Sequence, residues 1–220
     1  MPSPKDIYVN CDELNNITKE NKANWLKEIK QVAKEIKKNA TVLQVGCMNG
    51  VRIIALLKER PDLQITGLDI EKEFLKMARK NFKKCQIKAK LIHGDITKSL
   101  KIKKFDYVIC LNNTLGYIPE EERAIENMKN LGEKVIISVY GEKFTNELAK
   151  KYFQSINLEL QKIKKNIFHT KEFVKVKRYT ENEVKSWGGK VFKTPIGYFT
   201  IIRSRNEITF IDKVSENVQI

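Results

Sequence analysis

The nine residues Val42-Leu-Gln-Val-Gly-Cys-Met-Asn-Gly50 (VLQVGCMNG) join a run of strand-forming residues to a turn bounded by two glycines. The helix-period segment that follows, VRIIALLKER, stops at Pro61, so the unit reads as strand, tight turn, helix. Gly46 and Gly50 would let the backbone come close to a ligand, and the amides opening helix 50–60 would offer donors to it. The spacing is G-x-x-x-G. It has neither the G-x-G-x-x-G of dinucleotide binding nor the Gly-Lys-Ser/Thr of a phosphate loop.

Before this unit, Trp25, Ile29, Val32, Ala33 and Ile36 recur at helical spacing and predict an amphipathic helix over 24–38. After it the chain alternates. Expected strands are 41–45, 63–68, 89–93, 105–111 and 134–139, with helices over 50–60, 71–83 and 119–131 and a short helix or turn near 97–100. Strands this uniformly apolar, alternating with helices, belong to an α/β fold whose parallel sheet is covered on both faces. Beyond Gly141 come a helical stretch (EKFTNELAKKYFQSI), an alternating strand over 171–179, and a helix opened by Thr180 with Glu183 completing a capping box. The segments KVFKT and YFTIIR then form an antiparallel pair that closes the sheet. The expected organisation is one domain over 1–220, with an N-terminal helical segment at 1–38 and an insertion at 157–179.

In an open parallel sheet, ligands bind beyond the carboxyl ends of the strands, near the point where strand order reverses. The residues falling there are Gly46–Gly50, then Asp69, Asp95 and Asn112–Thr114. Asp69 can accept both hydroxyls of a ribose, and it can equally cap the helix beginning at Glu71. Asp95, preceded by Gly94, is suited to accept from an adenine amino group. Pyrophosphate cofactors make no special demand for an acid there.

These residues together resemble the class I S-adenosylmethionine-dependent methyltransferases. VLQVGCMNG resembles that family's glycine-rich motif, ITGLDI its ribose-binding acid, HGDI its adenine-side acid, and FDYVICLNNTLGYIP its fourth strand and methyl-facing loop. The similarity runs from about residue 38 to 205. It implies a Rossmann-like, doubly wound, mostly parallel seven-stranded sheet with an antiparallel C-terminal strand. It also implies S-adenosylmethionine as cofactor, held by Gln44, Gly46, Cys47, Gly50, Asp69, Ile70, Asp95, Ile96 and Asn112. Two positions depart from the family pattern. Gln44 replaces an acid that helps hold the cofactor's amino group, and Met48 replaces a glycine.

The resemblance implies an N- or O-methyltransferase of small molecules. The loop at 112–117, Asn-Asn-Thr-Leu-Gly-Tyr, lacks the Asn/Asp-Pro-Pro-aromatic sequence that accompanies methylation of nucleobase or glutamine amino groups. Tyr117 and His169 are candidate catalytic groups, with Tyr198 and Tyr8 behind them. Tyr117 could instead pack its loop against helix 119–131, and His93, inside a strand, is expected to be structural.

The net charge of +15 keeps an RNA methyltransferase open as an alternative, and the departures at Gln44 and Met48 an inactive scaffold as a second. Only seven of the 42 basic residues are arginine, so the charge is mostly that of hydrated lysine ammonium groups. Two stretches concentrate it: 72–104 carries a net +10 and 150–178 a net +7. The second lies in the insertion, where an anionic small acceptor or RNA would meet Lys162, Lys164, Lys165, Lys171, Lys175, Lys177 and Arg178, with Phe168 and Phe173 between them. Cys11, Cys47, Cys85 and Cys110 are too scattered for a disulfide framework or a zinc site, and no metal is expected. No apolar run reaches the ~20 residues of a membrane span, and the N-terminus lacks the apolar stretch of a signal peptide. The expected location is the cytoplasm, with no membrane partner.

Overall fold

The computed structural model describes residues 19–204, with side chains from Trp25 onward. Tyr8, Cys11 and the rest of 1–18 lie outside the described residues. Helix α1 (Lys19–Glu35) leads into β1 (Thr41–Val45), α2 (Val51–Glu59), β2 (Gln64–Asp69), α3 (Lys72–Lys84), β3 (Lys90–His93) and β4 (Phe105–Cys110). A single 3-10 turn at Thr114–Tyr117 precedes α4 (Glu121–Leu131), β5 (Gly132–Tyr140) and α5 (Asn146–Ser155). The chain then runs through β6 (Leu160–Lys164), β7 (Ile167–Thr170), β8 (Lys175–Lys177), α6 (Glu181–Ser186), β9 (Lys190–Lys193) and β10 (Gly197–Arg203).

The main sheet has seven strands in the order β3-β2-β1-β4-β5-β10-β9. β1 pairs in parallel with both β2 and β4, and β10 runs antiparallel to β5 and β9. Strand order therefore reverses between β1 and β4, which opens a crevice beyond their carboxyl ends. Because side chains alternate along a strand, Val42 joins the apolar layer under α1, α2 and α3, while Leu43 and Val45 join the layer under α4 and α6. Burying both faces is what makes VLQV read as nearly continuous apolar sequence.

Helix α1 ends three residues earlier than its apolar period suggests. The Arg60 guanidinium takes the carbonyls of Ala33 (2.6 Å), Ile36 (2.8 Å) and Lys37 (3.2 Å), and Asp62 holds that guanidinium in place. The Lys37 amide turns instead to the Tyr107 hydroxyl. The C-terminal end of α1 is thus fastened at the amino end of the sheet, and its N-terminal end rises toward the carboxyl edge.

The insertion differs from expectation. A single strand over 171–179 was expected, but the segment forms a three-stranded antiparallel sheet, β6-β7-β8, with only Lys175–Lys177 of that stretch in a strand. Phe173 adopts a left-handed backbone (φ 64) and turns the chain back on Thr170, which interrupts the alternation. The β6–β7 loop, Lys165–Asn166, turns through a left-handed lysine (φ 54), so no glycine marks it in the sequence. Phe168 and Val176 from this sheet pack with Tyr140, Phe144, Tyr152 and Phe153 in an aromatic layer. The stretch 97–100 forms a turn with no helix.

Candidate active site

Four strand ends meet at the crevice. The β1–α2 loop is built on left-handed backbone at Gly46 (φ +65), Met48 (φ 47) and Gly50 (φ +80). A Cβ at Gly46 would lie 2.3 Å from Thr114 Cγ2, and one at Gly50 would lie 2.5 Å from the Phe82 ring. Both glycines therefore let the protein close on itself, whatever they allow a ligand. Cys47 is buried over Gly67 and Ile53, and burial drives its thiol far above the ordinary range. Only its backbone can face a ligand.

The loop spends most of its amides internally. Cys47 N–H donates to the Leu68 carbonyl (3.1 Å), Gly50 N–H to the Cys47 carbonyl (2.9 Å) and Met48 N–H to Asp69 Oδ2 (2.8 Å). Asp69 Oδ1 accepts from Glu71 N–H at 2.9 Å, so one carboxylate ties the β1 loop to the start of α3. Asp69 is 5% exposed, and burial raises its pKa against the pull of these two amides. Asp69 does not cap α3, whose N-cap is Glu71; it closes a turn onto the Glu71 amide, and each carboxylate oxygen keeps a second lone pair.

Ile70, 57% exposed, presents an apolar face beside Asp69, and its carbonyl is bonded by His93 Nε2 at 3.0 Å. Asp95 Oδ1 accepts from the amide and hydroxyl of Thr97, both at 2.8 Å, and Oδ2 is not engaged by the described residues. The Ile96 side chain is buried in the core. Gln44 is 1% exposed, and its Oε1 has no hydrogen-bond partner among the described residues.

The β4 end is a double left-handed corner, Asn112 (φ 52) and Asn113 (φ 60). Asn112 N–H reaches Ser138 Oγ at 2.8 Å and Asn112 Oδ1 accepts from the Tyr140 hydroxyl at 3.4 Å. Asn113 is fully buried; its Oδ1 accepts from Tyr140 N–H at 2.9 Å and its Nδ2 donates to the Lys177 carbonyl at 3.0 Å. The corner thereby joins β4, β5 and the insertion. Sequence reasoning placed Asn113 in this loop but gave a role to Asn112 alone. Adjacent asparagines tolerate left-handed backbone, and that was the available signal.

Tyr117 flanks the aromatic layer at the end of the 3-10 turn. His169 alternates with the buried Phe168 along β7, which puts it on the opposite face of the small sheet. Tyr198 donates its hydroxyl to Glu142 in a very short bond. A separate groove of about 630 Å³, lined by Lys104, Glu121, Lys129, Glu183 and Trp187, lies between α4 and α6 and away from this crevice.

Residues 36–188 match the family model of a methyltransferase domain. The chain belongs to that methyltransferase family. A release factor glutamine methyltransferase of Staphylococcus aureus is 36% identical over 66 residues, 30% of this chain; the chain spans 24% of that relative's length. The fold is shared with the PH0226 protein from Pyrococcus horikoshii OT3 (TM-score 0.69, 18% identity, 91% of this chain and 98% of that one). It is shared also with S-adenosylmethionine-bound CalS10, an amino pentose methyltransferase from Micromonospora echinaspora (TM-score 0.56, 15% identity, 81% of this chain and 91% of that one).

S-adenosylmethionine, the cofactor of this methyltransferase class, suits the chemistry of the crevice. The cofactor offers an ammonium, two ribose hydroxyls and an adenine amino group, all donors. The edge answers with acceptors: the orphaned Gln44 Oε1, the Asp69 carboxylate and the open Asp95 Oδ2. Among the described residues, no helix is long and apolar enough to cross a membrane, and no cluster of side chains could hold a metal ion.

Proposed function

We propose that this methyltransferase transfers the methyl group of S-adenosylmethionine to a nitrogen or oxygen of a small-molecule acceptor. In this reading Asp69 holds the ribose, Asp95 and the Ile96 backbone the adenine edge, and Ile70 covers the adenine face. Gln44 accepts from the ammonium, and Gly46, Cys47 and Gly50 line the methionine and ribose portions with their backbone. When bound, the cofactor supplies an activated methyl group on a sulfonium. The chain's task is then alignment, which is worth several orders of magnitude in rate. Asn112 borders the reacting end, held by Ser138 and Tyr140.

The observation that carries the small-molecule reading is the Asn112–Asn113 corner. It is hydrogen-bonded to an inserted sheet that can wall in an acceptor, and it lacks the paired prolines of the loop that presents a glutamine or nucleobase. We place the insertion, 157–179, within a single domain over 1–220. The test is calorimetry with S-adenosylmethionine and S-adenosylhomocysteine, followed by product detection across amine and hydroxyl acceptors. Absence of binding at millimolar ligand would sink the proposal.

An RNA acceptor is the second reading, favoured by the insertion surface. Lys162, Lys164, Lys165 and Lys175 make no ion pair among the described residues, and Phe173 stands 81% exposed between Lys171 and Lys175. Lys177 and Arg178 are spent inside the fold, on Glu121 and Glu183 and on the Phe144 carbonyl. RNA binding that weakens steeply with salt would support this reading, and none at low salt would reject it.

A further inference from the structure

A carboxylate occupies a position on the buried face of α1. Trp25, Ile29, Val32 and Ile36 form the apolar stripe, and Glu28 lies beside them only 3% exposed. Burying a carboxylate is costly unless donors surround it. Here Oε1 accepts from the Ser138 hydroxyl in a very short bond and from Asn112 N–H at 3.3 Å. Ser138 belongs to β5 and Asn112 is the second residue after β4, so the N-terminal helix, a core strand and the loop at the reacting end converge on one oxygen. Arg52, buried in the first turn of α2, brings the opposite charge: it and Glu28 act with opposite sign on the buried Tyr140 hydroxyl.

Shape alone does not require an acid at this position. A glutamine could accept the same two hydrogen bonds. What the carboxylate adds is negative charge, placed at the reacting end of a crevice whose own first strand carries the neutral Gln44. The cofactor is cationic at its sulfonium before transfer and neutral there afterward. We propose that Glu28 supplies, from α1, the negative charge at the methyl-transfer edge, and so favours the methyl-bearing cofactor over its demethylated product. It acts by its charge and not by contact with the reacting atoms; the Ser138 hydroxyl and Asn112 N–H hold the carboxylate in place. This inference rests on the reading of the crevice as an S-adenosylmethionine site.

The ammonium, carboxylate, ribose and adenine are common to cofactor and product, so their contacts cancel in the ratio of the two affinities. The charge of Glu28 does not cancel. At an effective dielectric of about 20, the loss of one nearby charge changes affinity on the order of tenfold, with Arg52 offsetting part of it.

Calorimetry with S-adenosylmethionine and S-adenosylhomocysteine on the wild type, Glu28→Gln, Glu28→Asp and Ser138→Ala tests this directly. Glu28→Gln should weaken S-adenosylmethionine by roughly tenfold relative to S-adenosylhomocysteine, Glu28→Asp should restore most of the ratio, and Ser138→Ala should shift both ligands alike. If Glu28→Gln does not fold by circular dichroism, Glu28→Ala should show the same change in ratio. A ratio within twofold of wild type in the folded neutral variant overturns the proposal, as does an equal change in Ser138→Ala. Wild-type protein that binds neither ligand rejects the reading of the crevice itself, a result distinct from an unchanged ratio.

Discussion

At the scale of single residues, Asp69 and Met48 carry the strain of the site. Burial raises the Asp69 pKa above its unfolded value of about 3.9, so the folded protein holds that proton more tightly than the unfolded chain. For an acid shifted this way, ionisation costs stability as pH climbs from below 4 through the folded pKa. In Asp69→Asn that cost is absent. The stability of the wild type relative to the variant should therefore fall as pH rises above about 4 in urea titrations, while cofactor affinity in the variant drops roughly tenfold or more. A constant stability difference across this range would show that Asp69 does not titrate with folding. Met48 holds a left-handed backbone that a glycine would take freely, at roughly 1–2 kcal/mol, because its amide is committed to Asp69. Met48→Gly exchanges this strain for unfolded-chain entropy and should leave stability within about 1 kcal/mol, whereas Met48→Val, branched at Cβ, should lower it by about 1–2 kcal/mol or more. Thermal melts of the two variants decide it. The departure from the family's glycine was legible in the sequence. That the backbone conformation survives the change was not, since it depends on a carboxylate 21 residues away.

At the scale of elements, the amino end of the sheet is fastened independently of the crevice. Asp106, at the start of β4, accepts from the amide and hydroxyl of Thr41 at 2.7 Å and pairs with Lys37. Burial would push its pKa up, but the Lys37 ammonium and the Thr41 donors prevail and hold it at about 2. A depressed carboxylate contributes stability that is present above its unfolded pKa of about 3.9 and is lost as pH falls through the folded value. Wild-type protein should lose this contribution between about pH 4 and 2, Asp106→Asn should lack it throughout, and cofactor binding at neutral pH should be the same in both. Denaturant midpoints against pH, with calorimetry at pH 7, check both halves. The regular elements of the α/β frame were readable because period 2 and period 3.6 are unmixed from Thr41 to Val139. The β6–β7 hairpin was not. Its strands alternate weakly, with Gln161, Lys162 and Lys164 exposed, and its turn uses a lysine where a glycine would have announced it.

At the scale of the whole molecule, the site is a property of strand order more than of any one loop. Asp69, Asp95 and Asn112 are scattered over 44 positions, yet the reversal between β1 and β4 brings their strand ends to one edge. Their order along the chain was therefore sufficient to locate the crevice. The contribution of α1 was hidden because Glu28 looks like one more solvent-facing charge among the lysines and glutamates of its helix. Only the packed structure shows it turned inward.

The Asn113 side chain, standing between Tyr140 N–H and the Lys177 carbonyl, also acts as a timekeeper. The Tyr140 amide terminates a core strand, but its acceptor is a side-chain amide that itself leans on the insertion. Its proton can exchange with deuterium only when that corner opens, and opening it also breaks the bond to the Lys177 carbonyl of the small sheet. The exchange rate of this one amide should thus report how often the Asn113 corner opens. It should slow when S-adenosylmethionine binds and slow further with a true acceptor, and in Asn113→Ala it should rise by orders of magnitude while amides in the middle of β4 keep their protection.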